Sequence, residues 1–136
     1  MSKLLQRLSD AARSGVYRAS DGRAIEDATR GSGLDVVVVE ASERDLFASL
    51  AGALAFPSWF GSNWDALQDC LGDLSWRPDK GRVLIFRGYP EGEVRTRLTD
   101  VLRSSAEYWA LQGKPFFAVF VDPAKKLELP ELYRGA

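Results

Sequence analysis

The segment Asp35-Val36-Val37-Val38-Val39-Glu40 constrains the fold more than any other part of the chain. Four β-branched residues in succession are stiff at χ1 and favour extended backbone. Alternate side chains of a strand point to opposite faces, so an unbroken apolar run needs cover on both. That is the pattern of a parallel sheet between layers of helix. Two further runs repeat it, Arg82-Val83-Leu84-Ile85-Phe86-Arg87 and Phe116-Phe117-Ala118-Val119-Phe120-Val121. Parallel neighbours require long crossovers, and helical patterns fill the intervals, so the expected class is α/β with a small parallel sheet packed with helices.

Ser42-Glu43-Arg44-Asp45 resembles a capping box, with Asp where Glu or Gln is more usual, and opens a helix with Phe47, Leu50 and Leu54 at helical spacing. Ser62-Asn63-Trp64-Asp65 repeats the cap before a second helix. Residues 91–111 read as a long helix with Val94, Leu98, Val101, Leu102 and Trp109 on one side, stopped by Gly113. Before residue 35, Leu4, Leu5 and Leu8 suit one face of a short helix, and Gly15-Val16-Tyr17-Arg18 a short strand. Asp21 caps a further helix that Gly31-Ser32-Gly33 breaks. The tail from Asp122, with mixed charge and two prolines, reads as loosely docked.

A chain of 136 residues is expected to form one domain with its own core. It has one cysteine and no histidine. A disulfide framework is therefore excluded, as is a zinc site of the usual Cys/His kind, and the commonest general base is missing. Cys70, with no CxxC partner, reads as a small packing residue. A sequence pI near 5.5 without a basic stripe argues against nucleic-acid binding. No run approaches a membrane span, and polar residues interrupt the first apolar positions too soon for a signal-peptide core. The expected compartment is the cytoplasm.

Charge is sorted along the chain. From Asp45 to Trp76 there is no Lys or Arg, while Asp45, Asp65, Asp69 and Asp73 supply four negative charges. At 100° per residue, Leu67, Leu71 and Leu74 cluster around Trp64, whereas Asp65, Asp69 and Asp73 form a column on the other face. Gln68 and Gly72 lie between the two. Like charges at i,i+4 cost about 0.2–0.5 kcal/mol per pair, and Asp73 opposes the helix dipole. Stability alone does not select this column. Trp59 and Phe60 precede it in a Pro/Gly-bounded loop, where an aromatic serves either as a core plug or as an interface anchor. An acidic, aromatic-rimmed surface on a near-neutral chain suits a basic partner.

The stretch from Phe56 to Leu71 resembles the barstar family of intracellular ribonuclease inhibitors. Pro57, the pair Trp59-Phe60, Gly61, Asn63, Asp65-Ala66-Leu67 and Asp69-Cys70-Leu71 stand where that family has Pro, Tyr-Tyr, Gly, Asn, Asp-Ala-Leu and Asp-Cys-Leu. The order of elements from Asp35 to Val121 is also similar, over about two thirds of the chain. The resemblance implies a three-stranded parallel sheet packed with helices in residues 35–136. Residues 1–34 would be an extension packed on, or continuous with, that domain.

It also implies a mechanism, in which the acidic helix and preceding loop block a ribonuclease active site. Asp69 would stand in for a substrate phosphate, Asp65 would be a second ion-pair partner, and Trp59 would replace a contact tyrosine. Gln68 stands where a contact tryptophan is familiar and Gly72 where a threonine is; Asp73 adds a charge, and Glu107 is the nearest further acidic residue on the long helix. The expected partner-binding set is Trp59, Phe60, Asn63, Asp65, Gln68, Asp69, Gly72 and Asp73. The expected function is non-enzymatic inhibition of a basic ribonuclease by a monomer, with no cofactor, metal, direct nucleic-acid contact or membrane. Two alternatives stay open: an interaction module or immunity protein for another basic toxin or regulator, and an enzyme built on Asp65 and Asp69.

Overall fold

Four parallel strands form one sheet in the computed structural model, which describes residues 2–41, 44–78 and 80–133. In chain order the elements are α1 (Lys3–Leu8), a 3₁₀ turn (Ala11–Arg13), β1 (Gly15–Ala19), α2 (Arg23–Thr29) and β2 (Asp35–Glu40). They continue with α3 (Leu46–Leu54), α4 (Trp64–Asp73), β3 (Arg82–Arg87), α5 (Gly92–Leu111) and β4 (Phe116–Val121). The three apolar runs are β2, β3 and β4, within the expected bounds. The sheet order is β1-β4-β3-β2.

The sheet therefore has four strands, not the three that the resemblance implies. The fourth comes from the N-terminal segment: Val16 pairs with Ala118 and Ala19 with Val121. Ser14 Oγ accepts from the Phe116 N–H at 3.0 Å, which fixes where this pairing starts. Both faces of the sheet are covered, as the valine run requires. Val37, Val39, Leu84, Phe86, Phe116 and Phe120 pack beneath α3, α4 and α5. Val83, Ile85, Phe117 and Val119 pack beneath α1 and α2 through Leu8 and Ile25. Gly81 (φ +137°) allows the strand starts to converge; a Cβ there would come within 2.9 Å of Pro115. Its carbonyl accepts from the Asp35 N–H, and the Pro115 carbonyl from the Arg82 N–H, both at 2.9 Å.

The caps of α3 and α4 differ from the expected ones. Asp45 caps α3 by accepting from the Ala48 N–H. Ser42, the expected cap, lies outside the described residues. The segment after β4 is firmly docked, contrary to the loose tail expected. Leu127 and Leu132 are buried, and the Arg18 N–H and carbonyl bond Pro130 and Leu132. Arg18 also pairs with Glu131 at 3.0 Å. The outer edge of β1 is thereby covered, which removes an open template for strand addition. No helix of the described residues is long and apolar enough to cross a membrane.

Asp122 holds this return segment at the end of β4. Its carboxylate, almost fully buried, accepts from the Leu127 N–H at 2.8 Å and the Tyr89 hydroxyl at 3.3 Å. Burial pushes the Asp122 pKa upward, but the Leu127 and Lys126 N–H groups, the Tyr89 hydroxyl and the charge of Arg18 outweigh it and hold the pKa below the usual carboxylate value. A depressed folded-state pKa stabilises the fold above the unfolded value of about 3.9, and that stability is lost as pH falls through the folded value. Asp122→Asn should therefore destabilise by about 1–3 kcal/mol at pH 7. In urea titrations, the gap to wild type should narrow once the pH drops below about 4.

Candidate protein-binding site

The site is built on α4, and its first turn is set by Asn63. The Asn63 Oδ1 accepts from the Ala66 N–H at 2.8 Å, so Asn63 is the cap rather than Ser62. Ser62 takes a left-handed backbone (φ +53°) that turns the chain into the helix. The leucine face is committed to the core: Leu67, Cys70 and Leu71 are buried. Trp64 is half-buried, edge-on to Phe47 at 5.0 Å. Leu74 ends the helix in a left-handed conformation (φ 51°), usually left to glycine. Its side chain is itself buried in the core.

Three contacts outside the acidic face hold α4 and the segment that follows it. The Trp109 indole N–H donates to the Leu71 carbonyl at 2.8 Å, tying α4 to α5. The Trp76 indole N–H donates to the Leu54 carbonyl at 2.9 Å, tying the end of the site to α3. Arg77 makes two bonds to Asp35, at 2.7 and 2.9 Å, linking that segment to the start of β2. This side-chain bonding, partly opposed by burial, raises the Arg77 pKa.

With one face so anchored, Asp65, Asp69 and Asp73 all project into solvent. At 1.5 Å per residue the column is about 12 Å long. Among the described residues, no Lys or Arg lies within ion-pair distance of any of the three. The arginines of the neighbouring α5 are paired within the helix or with the residue that precedes it: Arg95 with Glu91, Arg97 with Glu93, and Arg103 with Asp100. Burial, and then the negative charges of Asp69 and Asp73, push the Cys70 thiol upward, which disfavours a thiolate. Among the described residues, no group of three or more Cys, Asp or Glu side chains is placed to hold a metal ion.

The loop aromatics divide. Trp59 is 60% exposed. Phe60 is half-buried, 4.8 Å from the Phe56 ring and 6.3 Å from that of Phe47. It is a core plug beneath the loop, while its neighbour remains available. Gln68 reaches α5 and bonds the Ser104 hydroxyl at 3.3 Å. Gly72 lies one turn further along that edge, where an added Cβ would meet nothing within 4 Å. Glu107 is exposed on α5.

The structure thus puts Trp59, Asp65, Gln68, Asp69, Gly72 and Asp73 on or beside one accessible face, with Asn63 and Phe60 shaping the loop that leads to it. Sequence reasoning missed two exposed residues of α5, the helix that Gln68 and Leu71 of α4 bond: Tyr108 and Leu111. Their signal was only partly available: Leu111 falls off the apolar side formed by Leu98, Val101, Leu102 and Trp109, whereas Tyr108 lies at its edge, about 20° from Val101 at 100° per residue. Arg77 was missed as well, since its partner Asp35 lies 42 residues away. Replacing Arg77 by Met should cost about 3 kcal/mol in denaturant unfolding. That is the lower end for a broken buried pair, because Arg77 keeps some solvent contact.

A comparison with protein-family models matches residues 37–121 to the family described as Barstar (barnase inhibitor). A comparison with curated proteins finds no match. The family match covers more than half of the chain and includes α3, α4, β3, α5 and β4. With the parallel α/β fold and the exposed acidic face of α4, it establishes that this chain belongs to the barstar family.

Proposed function

We propose that this chain inhibits a basic ribonuclease by seating α4 and the Trp59 loop in the nuclease active site. The observation that carries this reading is the column of Asp65, Asp69 and Asp73, without an ion-pair partner among the described residues, on a firmly held helix of a barstar-family domain. A site that binds RNA phosphates must present clustered cations, and a carboxylate offers those cations two acceptor oxygens in place of a phosphate's. Asp69, at the centre of the column, takes that place. Asp65 pairs with a flanking cation, and Asp73 adds long-range attraction. Trp59 supplies apolar contact at the rim, with Phe60 and Asn63 fixing the loop that carries it. The chain is then a plug without chemistry of its own, protecting the cytoplasm in which it acts. Gln68 and Gly72, in place of the tryptophan and threonine that the resemblance associates with those positions, favour a target other than barnase itself.

Carboxylates carried on an anchored helix cost no backbone ordering on binding, so the interaction energy is retained in the complex lifetime. Asp69→Ala leaves the nuclease cations buried without a counter-charge. It should accelerate dissociation about 100-fold or more in stopped-flow or surface-binding measurements with an inhibited ribonuclease. An unchanged lifetime would sink the proposed binding mode. Asp73→Asn should act differently, slowing association several-fold at low ionic strength. That effect should fade at high salt, as screening shortens the reach of the field to about 3 Å at 1 M.

A further inference from the structure

Four large apolar side chains stand exposed among the described residues: Trp59, Val94, Tyr108 and Leu111. Trp59 precedes the first turn of α4, and Tyr108 and Leu111 lie on α5 beyond Ser104, the α5 partner of Gln68. Leu111 is 86% exposed and Tyr108 47%. Singly, such residues need no explanation. These two are helical neighbours at i,i+3, in line with Ser104, which bonds Gln68. The Tyr108 ring lies 5.1 Å from that of Trp109, whose indole is bonded to Leu71 of α4. On the α4 side of this boundary, the position of Gly72 opens onto empty space.

We infer that Tyr108 and Leu111 form an apolar ledge continuous with the acidic face, and that the same basic partner packs an apolar patch against it. The inference rests on the proposed function and adds to it a requirement on the partner: beside its phosphate-binding cations it carries exposed apolar surface. The space at Gly72 admits a side chain of the partner between α4 and the ledge. Charge argues against a second copy of this chain as the occupant, since its own acidic column would be brought against this one. The ledge's charged neighbours do not attract an acidic partner either: Glu107 is exposed, Arg103 is paired with Asp100 at 3.6 Å, and Lys114 lies over the Trp109 ring at 5.8 Å. The geometry is that of an interface with apolar anchors at both ends of a charged centre.

The test compares wild type, Tyr108→Ala, Leu111→Ser and Asp69→Ala for binding to those members of a panel of basic ribonucleases that wild type inhibits. Melting temperatures serve as a check on folding, and sedimentation measures self-association. Leu111→Ser removes apolar area from the surface without adding charge, so its fold is safe even if Tyr108→Ala disturbs Trp109. Each ledge variant should weaken binding about tenfold or more, through faster dissociation, with the salt dependence unchanged. Asp69→Ala should reduce the salt dependence. Ledge variants that bind like wild type while Asp69→Ala is impaired would overturn the ledge and leave the proposed function standing. Inhibition of no ribonuclease by wild type would remove both. Self-association abolished by Leu111→Ser would overturn the ledge as a partner surface and assign it to a dimer.

Discussion

A parallel sheet with apolar side chains on both faces must be covered twice, and the rest of this structure follows from that constraint. Helices α3, α4 and α5 cover one face, α1 and α2 the other. Because the leucine face of α4 is fully used in the first layer, its opposite face is left for water. The acidic column occupies that leftover face. The N-terminal strand serves the same constraint from the other side, since Phe117 and Val119 of β4 need the cover that α1, α2 and Tyr17 provide.

The column itself works against stability, through like charges one turn apart and a carboxylate near the negative end of the helix dipole. It persists because α4 and the segment after it are fastened elsewhere: by Asn63 at the start, Trp109 from α5, and Trp76 and Arg77 beyond the end. Those fastenings have a functional consequence. In the proposed complex, carboxylates on an immobilised backbone would meet a cationic site already in register, so little ordering would be needed on binding. Exposure keeps them hydrated until a partner displaces the water. The repulsion stored along the column is relieved at that moment.

Much of this could be read from the residues. The three apolar runs gave their strands directly, because continuous β-branched and aromatic residues have few other uses. The acidic helix and its two faces followed from 100° periodicity alone. What escaped depends on distant pairing. The short strand at Gly15–Arg18 was itself expected and is β1; its place beside β4, which makes the sheet four-stranded, is set by pairing with residues some hundred positions later. Ser62 and Asn63 are both good caps, and the left-handed turn at Ser62 decides between them. The firm docking of the return segment depends on Asp122 and Arg18, whose partners no local pattern indicates. Trp59 and Phe60 are adjacent and chemically alike, yet only packing against Phe56 and Phe47 distinguishes the plug from the anchor. The absence of Lys or Arg from residues 45–76 was visible in the sequence; that the described part of the fold brings none to the column was not.

The central claim, that α4 plugs a cationic nuclease site, is tested most directly by titrating the purified protein into activity assays of basic ribonucleases of the barnase type. The account predicts that activity falls linearly to zero at one inhibitor per enzyme, and that Asp69→Ala turns this sharp end point into a shallow curve. Full ribonuclease activity at a large excess of folded protein, across the panel, would contradict it.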